Sequence, residues 1–137
     1  MQRNIPARTA PPMKLQPDRS DVPTISGHGP GWVGVNGERI TSSVIIGSQG
    51  ERIDWAASRF EDLDASHFAQ LAALGAEVVI FGSGSRIRFP HPAWLAPLVQ
   101  HRIGIETMDT AAACRTYNIL AHEGRRVAAA LLIEQPA

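Results

Sequence analysis

Cysteine is nearly absent. Cys114 stands alone in 137 residues, so no internal disulfide framework holds the chain, and a reducing compartment suits it. Charge of one sign is lacking too: 13 Lys+Arg face 13 Asp+Glu, for a formal net charge of +0. That balance excludes the broad basic footprint of a general nucleic-acid binder and equally an acidic tail protein. No hydrophobic run approaches the ~20 residues that a bilayer span needs. What is present, 44% hydrophobic against 19% charged residues, suffices to bury the core of one domain.

Catalytic constellations are equally scarce. The five histidines His28, His67, His91, His101 and His122 show no metal-ligand spacing, and no cysteine pair accompanies them. The Gly-x-Ser-x-Gly elbow of serine hydrolases is missing. Cys114 has no base within reach, because His122 lies eight residues on, about 12 Å along a helix axis. A buried, inert thiol is the expectation. No catalytic residue, metal or cofactor follows from these patterns.

Along the chain, residues 1–19 read as a disordered tail: Pro6, Pro11, Pro12 and Pro17 break any helix, and apolar residues are sparse. Arg3, Arg8 and Lys14 resemble an organelle presequence only faintly. The amphipathic, Ser-rich helix of a presequence is missing, as is the apolar core of a secretory signal, so a cytoplasmic chain is expected. Residues 20–137 form the single domain. From Pro23 to Trp55 the pattern predicts a β-meander of three or four strands. Asn36-Gly37 turns between Gly31–Val35 and one continuous run, Glu38–Ile46, since both turn residues tolerate the φ > 0 of a type I′ hairpin. Gly47–Gly50 supplies the next reversal, into Arg52–Trp55.

After Phe60 the rhythm changes. Asp62 or Asp64 caps a helix to about Leu74 that Gly75 ends, and Glu77–Phe81 is an apolar strand covered on both faces. A short helix over Pro92–His101, a strand at Ile103–Glu106, a helix from Asp109 to Glu123 and a strand from Arg126 to Ile133 complete a strand–helix–strand–helix–strand half. That alternation predicts α/β connections on a central sheet.

Two places could carry function. The loop Gly82-Ser83-Gly84-Ser85 follows the buried strand, where glycines let backbone N–H groups approach an anion. The dinucleotide fingerprint fails there, because Ile87 holds the third glycine position and no helix begins at once. In the extended run that follows, Arg86 and Arg88 fall on one side. The loop is therefore either a cradle for a small anion or a tight turn with two solvated arginines. The second place is the helix from Asp109. At about 100° per residue, Ala113, Cys114, Tyr117, Leu120 and Ala121 share a face that should be buried. Arg115, Asn118 and His122 share the adjoining one, which is either a recognition stripe with Arg115 as bidentate donor or a solvated surface.

The runs Phe81-Gly-Ser-Gly84, Phe89-Pro90, Met108-Asp-Thr-Ala-Ala-Ala-Cys-Arg-Thr-Tyr-Asn118 and Glu123-Gly-Arg-Arg-Val-Ala-Ala-Ala130 resemble a small family of unknown biochemical function. Its eukaryotic members include mitochondrial complex I assembly factor three and the adipogenesis-associated domain-containing protein. The resemblance covers Met13 to Glu134 and fits a bacterial-type member. It implies a three-layer β/α fold with a central mixed sheet, a β-rich half beside it and no established enzyme activity. It also places Gly82, Gly84, Arg115, Asn118 and Arg125 at motif positions, and leaves open a structural role in which Asn118 bonds backbone in a neighbouring loop and Arg115 pairs with Glu106 or Asp109. The expectation is a non-catalytic binding or assembly-factor-like monomer that meets a protein partner, with no nucleic acid and no membrane insertion. Its surface would comprise Gly82, Ser83, Gly84, Ser85, Arg86, Arg88, Arg115 and Asn118. The alternative is a binder of a small anionic ligand, or an uncharacterised enzyme, using the glycine loop.

Overall fold

A computed structural model describes residues 22–136; the tail expected over residues 1–19 lies outside them. The hairpin forms as its turn chemistry requires. β1 (Ile25–Gly29) pairs antiparallel with β2 (Trp32–Val35), and β2 with β3 (Glu38–Ile40). Between β2 and β3, Asn36 and Gly37 sit at φ 51° and 86°, the left-handed pair of a type I′ turn.

The run expected as one strand, Glu38–Ile46, is broken. After β3 the chain crosses Thr41–Ser43 and enters β4 (Val44–Gly47), which belongs to a different sheet. Burial explains the break. Glu38 and Arg39 are exposed, whereas Val44, Ile45 and Ile46 are buried on both faces, which only a covered central strand permits. Ser43 anchors the crossing: its carbonyl accepts from Trp55 N, and its hydroxyl accepts from Ile133 N at 2.9 Å. The predicted meander is thus two units, a three-stranded sheet β1-β2-β3 and a β4–β5 hairpin, with β5 at Arg52–Asp54.

The second sheet has five strands in the order β5-β4-β8-β6-β7. β6 (Val78–Gly82) lies parallel to both β7 (Gly104–Met108) and β8 (Val127–Leu131), while β4 runs antiparallel to β8 and β5. Because the chain goes from β6 outward to β7 and then back past β6 to β8, right-handed crossovers must use opposite faces. They do. α1 (Ala65–Ala72) and α2 (Ala96–Gln100) cover one face, where Phe68, Leu71 and Leu98 meet Ile45, Trp55, Val79 and Phe81. α3 (Thr110–His122) and the small sheet cover the other, where Ala113, Cys114 and Tyr117 meet Val33, Val35, Ile46 and Ile80. The three-layer architecture with a central mixed sheet is the one expected.

Asp64 caps α1 by accepting from Ser66 N, and Asp109 caps α3 by accepting from Ala112 N, each satisfying an orphan donor of the first turn. The helix expected over Pro92–His101 is shorter. Residues Pro92–Leu95 wind as a 3-10 turn and α2 starts at Ala96, which places Pro97 in the first turn, where its missing N–H costs nothing.

Candidate functional site

The carboxyl ends of β6 and β8 meet the start of α3 at one spot, and the glycine loop lies there. Gly82 is required by close packing, since a Cβ would come within 3.0 Å of Ala113 Cβ and 3.1 Å of Thr110 Cα. Ser83 is fully buried. Its N–H donates to Met108 O at 2.9 Å, and its hydroxyl donates to Arg86 O and accepts from Arg88 N. Gly84, at φ 104°, exchanges two bonds with Thr110, which in turn donates from Oγ1 to Leu132 O. The amides of Ser83 and Gly84 are therefore committed to α3 and β7, and neither is free to cradle an anion.

Arg86 and Arg88 do not share a solvated side. Arg86 is exposed, but Arg88 turns inward, with Nε and Nη2 donating to Ser83 O and Nη2 also meeting Glu134 Oε1. Its guanidinium lies 4.9 Å from the centre of the Phe60 ring. Glu134 Oε2 accepts from Phe60 N at 2.9 Å. Burial by itself raises the Glu134 carboxyl. The bonds from Arg88 and Phe60 N, with the Arg88 and Arg86 charges, outweigh it and hold the group below its ordinary range. Inward pairing wins because Ser83 O and Glu134 Oε1 would otherwise be acceptors left without a partner.

Beside this loop is a cleft of about 590 Å³, walled by the β1–β2 turn with Trp32, by Gly84–Ser85, by Asp109–Ala111 and by Leu132–Pro136. Among the described residues its walls carry Asp109, Glu134 and His28 but no Lys or Arg. Two carboxylates in these walls repel an anion, so the charge of the cleft does not favour the anion reading.

On α3 the expected buried face is found at Ala113, Cys114, Tyr117 and Ala121, with Leu120 half-buried. The adjoining stripe is divided. Asn118 faces β1, accepting from Ile25 N at 2.9 Å and donating to Ile25 O at 2.8 Å. Since Thr24 bonds toward β2 through Asn36, Ile25 presents its backbone to the free edge of the small sheet. The Asn118 amide closes that edge as a neighbouring strand would. Tyr117 OH adds a bond to Pro23 O at 2.7 Å. Arg115 points outward, and among the described residues it makes no ion pair with Glu106, Asp109 or any other acid. One turn on, Ile119 is 59% exposed. Arg125 pairs with Glu77 at 3.0 Å.

Exposed apolar side chains are what the sequence did not disclose. Phe89 is 71% exposed and Ile87 51%, both in the segment that Ser83 and Arg88 pin at its root. Cys114, by contrast, is buried, and burial pushes its thiol up to about 12. Native protein is expected to resist alkylation at pH ~8 and to react only as it unfolds; mass spectrometry along a urea series checks this.

Fold and site together define a three-layer mixed α/β domain whose motif residues mostly tie its elements to one another. Among the described residues no group of three or more His, Cys, Asp or Glu side chains could hold a metal ion, and no helix is long and apolar enough to cross a membrane. The chain belongs to the family described as "Protein of unknown function (DUF498/DUF598)", which matches residues 25–132. It is 33% identical over 100 residues to NADH dehydrogenase [ubiquinone] 1 alpha subcomplex assembly factor 3 of Bos taurus, covering 72% of this chain and 54% of that protein. An uncharacterised protein of Rhodobacter capsulatus is 34% identical over 110 residues, covering 79% and 82%. The chain thus spans about half the length of the bovine relative. Among solved structures, a Bordetella parapertussis protein superposes with TM-score 0.78 at 38% identity, covering 82% of this chain and 97% of that one. A Bordetella pertussis protein described as an Mth938-like domain gives 0.77 at 32%, covering 91% and 95%.

Proposed function

We propose that this domain is a non-catalytic protein-binding module of the assembly-factor type. Its contact surface combines the segment Ser85–Phe89 with the Arg115–Ile119 ridge of α3. The observation that carries the reading is the exposure of Phe89 and Ile87, 71% and 51%. Large apolar side chains held in water on a pinned segment mark a surface that a partner covers. The assembly-factor relatives support the same reading at a coarser level. Within this surface Gly82, Ser83, Gly84, Arg88 and Asn118 act as the frame, while Ser85, Arg86, Ile87, Phe89, Arg115 and Ile119 make contact.

The test is capture of the tagged full chain from its native lysate, wild type beside an Ile87→Ser/Phe89→Ser variant with an unchanged melting temperature. The variant is expected to hold the partner at least about tenfold more weakly. Equal capture by the two proteins would remove this segment from the surface.

A further inference from the structure

At the opposite end of the sheet, beside the amino ends of β6 and β7, lies a second, smaller cavity of about 330 Å³ whose lining includes His101, Arg102 and Arg126. We propose that this cavity is a binding site for a small phosphate-class oxyanion, with Arg102 and Arg126 as its donors.

Backbone geometry supplies the first argument. α2 ends in a Schellman motif: Ile103 N donates to Leu98 O and Arg102 N to Val99 O, both at 3.0 Å, and Arg102 itself adopts φ 56°. This is the position that glycine fills at the least cost, because a Cβ there crowds the following carbonyl. α1 and α3 follow the rule, with Gly75 and Gly124 at φ 75° and 84° just past their ends. α2 alone carries an arginine there, so the chain sustains local strain and gains a side chain at the mouth of the cavity.

Charge supplies the second. Among the described residues the charged or titratable groups lining the cavity are His101, Arg102, Arg126 and Glu77. Glu77 is already neutralised by Arg125, which donates from Nε and Nη2 to its Oε1. His101 is oriented by a bond between Nδ1 and Pro97 O at 2.8 Å. Arg126 is steadied by donating from Nη1 to Gly75 O, which leaves its other guanidinium nitrogens available. Among the described residues Arg102 has no ion-pair partner. Two guanidinium forks around one hollow match the geometry of a tetrahedral oxyanion better than two ammonium groups would.

The experiment is titration of the isotope-labelled full chain with inorganic phosphate at constant ionic strength, with sodium chloride as the control. Saturable shifts at the amides of Ala76, Glu77, Arg102 and Ile103 are expected, with a midpoint near about 1 mM. Arg102→Gly separates the site from the fold, since glycine relieves the strain. Its melting temperature is expected to rise by about 2–4 °C while phosphate affinity falls at least about tenfold. Arg126→Gln is expected to lose affinity similarly. Shifts that chloride reproduces, that never saturate, or that survive unchanged in Arg102→Gly would overturn the site.

Discussion

Replacing Arg88 with alanine is expected to cost about 2–3 kcal/mol of stability. Three contacts go at once: the fork on Ser83 O, the pair with Glu134, and the face of Phe60. Breaking a fully buried pair costs about 3–5 kcal/mol. The Arg88 and Glu134 side chains are 16% and 23% exposed, so water screens part of the loss and the lower figure applies. The pH dependence has a definite sign. The Glu134 carboxyl is lowered in the folded protein, so its contribution is full above the ordinary carboxylate value of about 4.3 and fades as pH falls through the folded value. In Arg88→Ala the Phe60 N bond and the Arg86 charge remain, but the strongest counterweight to burial is gone, so the carboxyl is lowered less. Urea midpoints of the two proteins should therefore differ most near neutral pH, and the gap should narrow below about pH 4 to the share carried by Ser83 O and Phe60. A gap that stays constant across that range would show that the pair is not its source.

Asn118→Ala is expected to destabilise by a similar amount, about 2–3 kcal/mol, because it orphans two half-buried backbone groups. Ile25 N and Ile25 O both lose their partner, and the edge of β1 is left open. Asn118→Asp discriminates mechanism from bulk. It keeps an acceptor for Ile25 N but sets a carboxylate against Ile25 O, so it should be no more stable than the alanine variant. Urea unfolding gives the energies. Hydrogen exchange at the Ile25 amide should quicken in the alanine variant, with the β6 amides protected up to global unfolding. Wild-type exchange at Ile25 in Asn118→Ala would contradict the clamp.

Local chemistry was legible wherever a short stretch decides the outcome. Asn36-Gly37, the caps at Asp64 and Asp109, and the apolar Val78–Phe81 run each form what their residues dictate. The break at Thr41–Ser43 was hidden, because β-branched Ile40-Thr41 and Val44–Ile46 flank only the short Ser42-Ser43 interruption, and the destination of β4 is what divides the run. Site roles were hidden for a related reason. Asn118 meets Ile25 from 93 residues away, and Arg88 meets Glu134 across 46. Neither spacing is a motif, so the arginine pair reads as surface, and a backbone bond for Asn118 is legible only as an open alternative with no partner named. Exposure at Phe89 and Ile87 has no local signature at all.

The most direct measurement sets Arg115→Ala beside Asn118→Ala, with thermal melts and partner capture on both at a temperature where each is folded. Arg115→Ala is expected to melt within about 2 °C of wild type yet to hold its partner at least about tenfold more weakly. Asn118→Ala is expected to melt lower and to keep its partner. A destabilised Arg115→Ala with intact capture, or an undisturbed Asn118→Ala that loses its partner, would contradict the division between an inward frame and an outward contact surface.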